Sequence, residues 1–415
     1  MKNLLKLIYS KEKTDELITK RILGIKFKKN NWKQIITNEN LKNLSILFNI
    51  MHDQQIQDRL KINDKPENIV RTLASKITKT PRYLLADKHA CFLNILLNCK
   101  PIEYQNVFDI DDAYILWGIR PIENHIKTFS FAKNLNRPVL FMEDSFLRSA
   151  DTAANKKAPE KFRKGISFTI DDLTTYFDAT RPSRMEQMLN DKTLIITDEQ
   201  RQRARNCIDK IVYNHLTKYN HQPIVTPKIG RSGVKKVLVV DQSFGDMSIK
   251  RGLADESTFE KMLECAKKEN PDADIIVKTH PDTMAGKRGG YYTHLKEQNN
   301  IYLLKTPINP ISLIKYVDKV YVCTTQFGFE ALMCGKEVHT FGMPFYAGWG
   351  LTIDDQKSER RNNTRNLEEI FYIAYIIYSH YVNPETNEIC EIEEAMDYLL
   401  KIRAEYFDIN GVKHE

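Results

Sequence analysis

Short apolar runs that are each followed directly by polar residues constrain the fold of this chain more than any other feature. Between residues 237 and 341 such runs lie at 237–240, 275–278, 301–304, 320–323 and 338–341. Segments of helical length and patterning, such as 258–269 and 311–317, separate them. Continuous apolar runs of this length are typical of parallel strands that are buried on both faces. The pattern therefore predicts a β/α domain over residues 231–355.

A similar alternation precedes this region. Short apolar runs at 114–117, 139–142 and 166–170, with a helix-length segment at 122–135, predict a first β/α domain over residues 106–230. Long charged helices are expected over 184–218, and the segment 222–233, which contains two Pro and two Gly, is typical of a linker. Two β/α regions joined in this way predict an α/β fold with two Rossmann-like domains facing a cleft. This is the GT-B arrangement of many glycosyltransferases.

The two ends of the chain carry no recognisable chemistry. Residues 1–105 have mainly helical patterning, so an additional helical N-terminal region of unknown role is expected there. Residues 356–415 are also expected to be helical, with an apolar aromatic stretch at 371–378 that is too short to span a membrane. We expect these C-terminal helices to pack back on the first domain.

Composition excludes several classes of protein. The chain has 415 residues, 42% hydrophobic and 28% charged, and no apolar run approaches the roughly 18 residues that a membrane-spanning helix needs. No signal-peptide core occurs in the first thirty residues. The 7 cysteines show no CxxC spacing, which favours a reducing compartment and disfavours a structural zinc site. The sequence therefore predicts a cytoplasmic protein.

The net charge of +8 favours anionic partners. Much of the basic excess lies in residues 1–50, where Leu, Ile and Phe are interspersed. This segment has two interpretations: peripheral contact with the anionic inner face of the inner membrane, or a solvated helical face. No nucleic-acid motif supports nucleic-acid binding.

Polar clusters follow two of the segments in the first predicted domain. Glu143 and Asp144 come directly after the run 139–142, and Arg148 follows them. They form a candidate acid/base with an anion contact, or alternatively a helix cap with a surface salt bridge. In the segment 176–183, Arg181 is a candidate partner for a carboxylate, although helix capping by Ser183 also explains this turn.

The second predicted domain carries three further clusters at strand ends. Asp246 follows Gly245 and is a candidate nucleophile or general base, with a helix cap as the alternative. Lys278 and His280 follow the run 275–278 and suit a phosphate leaving group. Thr324, Thr325 and Gln326 open a helix that predicts a phosphate-binding end, and Glu330, about one turn later, is a candidate ribose contact.

The motifs EDSFLRS, DDLTTYFDATRPS, VLVVDQSFGDMS, VKTHPD, TTQFGFEALMCGK and FGMPFYAGWGLT occur in this order between about Trp117 and Thr352. Together they resemble the KpsC-type capsule β-Kdo transferases. The resemblance implies transfer of 3-deoxy-manno-octulosonate (Kdo) from CMP-Kdo to a lipid-linked glycan, with retention of anomeric configuration. Many family members carry two such modules in tandem, whereas this sequence has one.

The resemblance also implies roles for individual residues. Asp246 aligns with the essential carboxylate of the family and is the expected nucleophile of a double displacement, with Glu143 as acid/base. The expected donor-binding residues are Lys278, His280, Thr324, Thr325, Gln326, Glu330, Gln242, Arg148 and Arg181. No metal or other cofactor is expected. The DxD sequence at 272–274 precedes a strand and is interpreted as a solvated turn.

Three alternative functions remain at this point. The chain would add Kdo within a repeat unit, as in a polymerase or O-antigen system, or would use another CMP-sugar. A non-enzymatic alternative is an export-associated scaffold, which would predict loss of the cleft carboxylates. Glu143, Asp144 and Asp246 are all present, which favours the enzyme.

Overall fold

The computed structural model describes residues 38–79, 113–120, 138–279, 289–386 and 388–412. It also describes short strands within 9–27 and at 83–85, and the helical positions 125, 126, 129 and 132. Most of the predicted helix at 122–135 and of the basic segment 1–50 therefore lies outside the described side chains, as does His280. No described helix is long and apolar enough to cross a membrane.

The first part of the chain builds a mixed sheet flanked by helices. The strands that this part contributes to the mixed sheet are β4 (Tyr83–Leu85), β5 (Ala113–Trp117), β6 (Val139–Asp144) and β7 (Ser167–Asp171), and three earlier strands, β1 (Tyr9–Thr14), β2 (Leu17–Ile22) and β3 (Ile25–Phe27), lie outside that sheet. Its helices are α1 (Asn38–Arg59), α2 (Pro66–Lys79), α3 (Glu160–Arg163), α4 (Arg184–Asn190) and α5 (Asp198–Tyr213). Strands β4, β5 and β6 run parallel, whereas β7 is antiparallel to β6. The strands predicted at 114–117, 139–142 and 166–170 are confirmed within one or two residues.

The N-terminal region is not wholly helical as predicted. Helices α1 and α2 are present, but β1, β2 and β3 form a three-stranded antiparallel sheet of their own. Only the three-residue β3, IKF, alternates apolar and polar residues with the strand period of two. The prediction is corrected for this part of the chain.

A second, fully parallel sheet follows the linker. Its elements are β8 (Lys236–Val240), α6 (Met247–Arg251), α7 (Glu256–Glu269), β9 (Asp274–Lys278), β10 (Ile301–Leu304), α8 (Pro310–Tyr316), β11 (Lys319–Val322), α9 (Phe327–Met333), β12 (Glu337–Thr340) and β13 (Ile353–Asp354). The strand order is β10-β9-β8-β11-β12-β13. Alternate residues of β8 pack into two different cores, Leu238 and Val240 on one face and Val237 and Val239 on the other. This burial on both faces explains the continuous apolar runs and confirms the strands predicted from them.

The C-terminal segment returns to the first sheet. It consists of α10 (Leu367–Phe371), a π-helix (Tyr372–Ile377), β14 (Ser379–Asn383), β15 (Glu388–Cys390) and α11 (Ile392–Asn410). Strand β14 pairs antiparallel with β7 and β15 with β14, which gives the order β15-β14-β7-β6-β5-β4. The wholly helical prediction is therefore wrong for 379–390, whereas the apolar aromatic run up to Ile377 is helical as predicted.

A buried ion-pair cluster joins the first β/α region to the segment after β13. Glu186 on α4 accepts hydrogen bonds from Arg360 at 2.7 Å and from Arg361 at 3.1 Å. Arg361 also donates to the carbonyls of Pro344 and Ala347, and Arg360 donates to that of Ala179. Glu186 belongs to the first β/α region, and both arginines belong to the segment after β13. The hydrogen bonds to Glu186 therefore join these two parts of the chain.

Replacing Glu186 by Ala should lower the free energy of unfolding by about 3 kcal/mol, because two arginines would lose their buried counter-charge. Urea denaturation followed by circular dichroism measures the change. Lys401→Ala is the matched control, since it breaks an exposed ion pair with Glu385 and should have little effect. Equal, small losses in the free energy of unfolding for both variants would show that the cluster does not stabilise the contact between the two parts.

Candidate active site

Glu143 lies in the second-to-last position of β6, at its carboxyl end. The backbone N–H of Asp144 donates to one oxygen of Glu143 at 3.0 Å. Gly118, with φ of +68°, lies against the other oxygen, and a Cβ at that position would stand 3.2 Å from it. Burial raises the pKa of Glu143 from 4.5 to about 7, and the neighbouring charge of Asp144 adds to the rise. A carboxyl group with this pKa can take or give a proton at neutral pH.

Arg148 is buried and pairs within the protein, and its predicted contact with the donor stays a prediction. Its side chain is only 1% exposed, and its Nε lies 2.7 Å from the carboxylate of Asp144. A second guanidinium nitrogen donates to the carbonyl of Arg163 at 2.9 Å. The structure therefore places Arg148 in the wall of the site, where it holds Asp144.

Asp246 follows β8, a strand of the second sheet. It caps α6 by accepting a hydrogen bond from the backbone N–H of Ser248 at 2.9 Å, and its side chain is exposed. The preceding turn uses the left-handed conformation of Gly245, with φ of +76°. The charge of Asp246 also contributes to the raised pKa of Glu143. The structure thus brings the two predicted carboxylates into one electrostatic environment from opposite sheets.

Lys278 ends β9 as a buried cation. It is 5% exposed, and among the described residues its ammonium has no hydrogen-bond partner. Burial lowers its pKa to about 8, which leaves it mainly protonated at neutral pH. Its backbone carbonyl accepts from the N–H of Asp241, whose own carboxyl has a pKa raised to about 6 by burial. A buried ammonium that has no partner among the described residues, and that lies at a strand end, fits an anionic ligand such as a phosphate.

Gln242 and Thr324 are bonded to each other across the ends of β8 and β11. The Gln242 amide donates to the Thr324 hydroxyl at 3.0 Å, and the backbone N–H of Thr324 donates back to Gln242 Oε1 at 3.0 Å. Thr325 uses its own hydroxyl to accept from the N–H of Phe327 at the start of α9. The structure brings these predicted residues together, but their polar atoms already bind one another.

Glu330 and Gln326 lie at the seam where the two sheets meet. Glu330 is 4% exposed, and burial raises its pKa from 4.5 to about 8. Gln326 donates to the carbonyl of Phe146, on the first domain, at 2.9 Å. Glu330 is thus enclosed by protein in this structure, and its contact with the ribose stays a prediction.

Arg181 binds to α1. Its guanidinium donates to Asp53 at 2.6 Å and to Asn49 at 3.3 Å. The structure does not bring Arg181 next to Glu143 through any described contact.

Lys218 is a site residue that sequence reasoning missed. Its ammonium lowers the pKa of both Glu143 and Glu330, which come from different sheets. It lies in the loop 214–220 after α5, outside every motif that was recognised. The neighbouring aromatic residue Tyr219 was the only local signal, and a single Lys-Tyr pair is too common to interpret.

Comparison with known proteins places this chain in a family. Residues 229–384 match the model for the capsule polysaccharide biosynthesis protein family. The chain also aligns with a KpsC from Thermosulfurimonas dismutans, described as a beta Kdo 2,4 transferase, at 34% identity and a TM-score of 0.68. That alignment covers 77% of this chain and 98% of that one. The chain belongs to the KpsC-type β-Kdo glycosyltransferase family. The predicted GT-B-like fold and the family resemblance are confirmed.

Two further relatives extend the comparison of this KpsC-type chain. The capsule polysaccharide modification protein LipA of Neisseria meningitidis serogroup B is 42% identical over 310 residues, which are 72% of this chain and 43% of LipA. The lipopolysaccharide-processing protein LpsZ of Rhizobium meliloti is 34% identical over 73% of this chain and 66% of LpsZ. The KpsC-type chain therefore spans less than half the length of LipA.

The buried Glu330 predicts a pH-dependent stability. Its folded-state pKa of about 8 lies above the ordinary value of 4.5, so the folded protein retains a proton that the unfolded chain loses. Stability from this group is full below about pH 4.5 and falls as pH rises towards 8. Glu330→Gln removes the loss, so the melting temperature of this variant should exceed that of the wild type by about 3 °C at pH 8.5 and converge with it at pH 5.

Differential scanning calorimetry between pH 5 and 8.5 measures this difference. Glu385→Gln is the control, because Glu385 is exposed and pairs only with Lys401 among the described residues. Parallel curves for the wild type and Glu330→Gln would contradict the assignment.

Proposed function

We propose that this chain is a retaining β-Kdo glycosyltransferase that transfers Kdo from CMP-Kdo to a lipid-linked glycan acceptor in capsule or other surface polysaccharide synthesis. The observation that carries the proposal is the pairing of Glu143, whose pKa is about 7, with the exposed Asp246 across the cleft. One carboxyl group suited to proton transfer and one suited to nucleophilic attack are the two groups that a double displacement needs. The likeness to the KpsC β-Kdo transferase supports the sugar.

In the first step, the Asp246 carboxylate attacks the anomeric carbon of Kdo. The bond between that carbon and the phosphate oxygen breaks, and CMP leaves with the electron pair. Lys278 supports this step, because its buried ammonium is available to the departing phosphate. A covalent ester between Kdo and Asp246 is the product.

In the second step, the acceptor hydroxyl attacks the same carbon and displaces Asp246. The Glu143 carboxylate accepts the hydroxyl proton, and the Asp246 carboxylate is regenerated. Two successive inversions give net retention. Since both steps need only groups of this chain, the proposal includes no metal.

The other predicted donor-binding residues that the structure describes now make hydrogen bonds within the protein, and we propose that the donor replaces some of these bonds. Thr324, Thr325, Gln326 and Gln242 surround the donor phosphate once their present hydrogen bonds exchange for it. Those bonds join Gln242 to Thr324, Thr325 to the N–H of Phe327, and Gln326 to the carbonyl of Phe146. His280 would assist Lys278. For the Kdo carboxylate, Arg148 is already held by Asp144, so Arg181 is the better candidate, and it would exchange Asp53 for the substrate.

The nucleophile is tested by intact-protein mass spectrometry after CMP-Kdo is generated in situ without acceptor. The wild type should gain one Kdo-sized adduct, and Asp246→Ala should gain none and lose at least about a thousandfold in kcat/KM. Asp255→Ala is a matched control, because Asp255 is also an exposed helix-capping aspartate that accepts from the backbone N–H of Thr258. The control should lose about 1 kcal/mol of stability and keep its activity.

An adduct on Asp246→Ala, or equal losses in both variants, would show that Asp246 acts only as a cap. Release of CMP without any adduct would overturn the double displacement. Turnover of another CMP-sugar in place of CMP-Kdo would redirect the donor assignment, and inactivity with every donor and acceptor would favour the scaffold.

Glu143 should impose a pH limb on catalysis. As a general base it must be ionised, so kcat/KM should fall about tenfold for each unit of pH below about 7. Glu143→Gln should be slower by on the order of a hundredfold at pH 8 and should lose this limb. Steady-state rates between pH 5.5 and 9 measure both. A Glu143→Gln profile that keeps the wild-type limb would assign the titration to another group.

A further inference from the structure

Lys218 is fixed beneath the candidate site by contacts of its backbone and of its side chain. Its carbonyl accepts from the backbone N–H groups of Arg148 at 3.1 Å and Ser149 at 3.3 Å. Its ammonium donates to the carbonyl of Asp144 at 3.4 Å, and the Tyr176 hydroxyl donates to the same oxygen at 3.4 Å. The ammonium is therefore anchored one residue from Glu143 along β6.

Acidic groups from both halves of the chain face this ammonium. Although burial opposes protonation, their charges raise the pKa of Lys218. Those on the first domain are Tyr176, Tyr219, Asp144 and Glu143, the second domain contributes Glu330, and Asp246 acts on Glu143. Arg148 is the other cation at this position, and its Nε pairs with Asp144. The backbone N–H of Lys218 also faces the Glu330 carboxyl across the seam.

We propose that Lys218 is the positioning residue of the acid/base site: its ammonium is the counter-charge that holds the Glu143 carboxylate beside Asp144 and Asp246. The effect of Lys218 on the rate of transfer rests on the proposed transferase function. Its effect on the pKa of Glu143 does not rest on that function. Without the ammonium, Glu143 faces two like charges in a desolvated position, and its ionised form becomes much less favourable. Lys218 acts through Glu143 and does not contact the reacting atoms.

The catalytic consequence is tested on the pH profile of kcat/KM. Lys218→Met should move the acid limb upward by about one pH unit, so that activity falls about fivefold at pH 7, about tenfold at pH 6, and approaches that of the wild type above pH 9. Lys218→Arg keeps the charge and should keep the limb near its original position. Lys210→Met is the control, because Lys210 on α5 pairs with Asp397 on α11. A loss that is uniform across pH, or no shift, would overturn the proposal.

The electrostatic consequence is tested without activity, by urea unfolding between pH 6 and 9 in a Glu330→Gln background. Loss of the ammonium raises the folded-state pKa of Glu143 further above its unfolded value, so stability should decrease more steeply between pH 7 and 9 in Lys218→Met. Adding Glu143→Gln should abolish this difference in slope. Persistence of the difference without Glu143, or its absence with Glu143, would refute the pairing. Failure of the transferase assay alone would leave this result standing and would count against the proposed function only.

Discussion

The carboxyl ends of β6 and β8 meet at one seam, and the arrangement of the site depends on this meeting. Each strand delivers an acidic side chain at its end, Glu143 on one and Asp246 shortly after the other. Acidic groups that converge in a desolvated place repel one another and resist ionisation. At the buried end of β6 the fold therefore places cations whose positions are fixed by other contacts. Arg148 is held against Asp144, and Lys218 is held by the Asp144 carbonyl.

The strands of the second domain could be predicted closely from the sequence, because burial on both faces leaves its mark within each short segment. A strand covered on both faces needs apolar residues at every position, so Val237, Leu238 and Val239 form a run that no solvent-facing strand would show. Polar residues then follow at the strand ends, where ligands bind in such sheets. The strands were identified in this way, and the same reasoning selected Asp246 here and Glu143 in the first domain as candidate site residues.

Long-range pairing explains what could not be predicted. Nothing in SHYVN at 379–383 indicates that it will pair with a strand near residue 169, and so β14 was missed. The four-residue spacing of Arg148 from Asp144 is the same for an exposed and for a buried salt bridge. The sequence therefore did not reveal that Arg148 is buried and bound to Asp144. Lys218 gained its significance only when the loop after α5 was folded against the end of β6. In each case the deciding contact joins parts of the chain with no shared sequence pattern.

The closing strands of the first sheet have a consequence for the order in which the chain can fold. Because Ser379 pairs with Thr169, the edge of β7 stays open until the segment around residue 379 has left the ribosome. The parallel sheet between these points has all of its strands earlier, so it can be completed first. A nascent or truncated chain that ends before β14 would expose an unpaired strand edge, which is a site for association with other chains. Pairing of β14 thus covers the open edge of the first sheet late, although the first strands of that sheet lie hundreds of residues upstream.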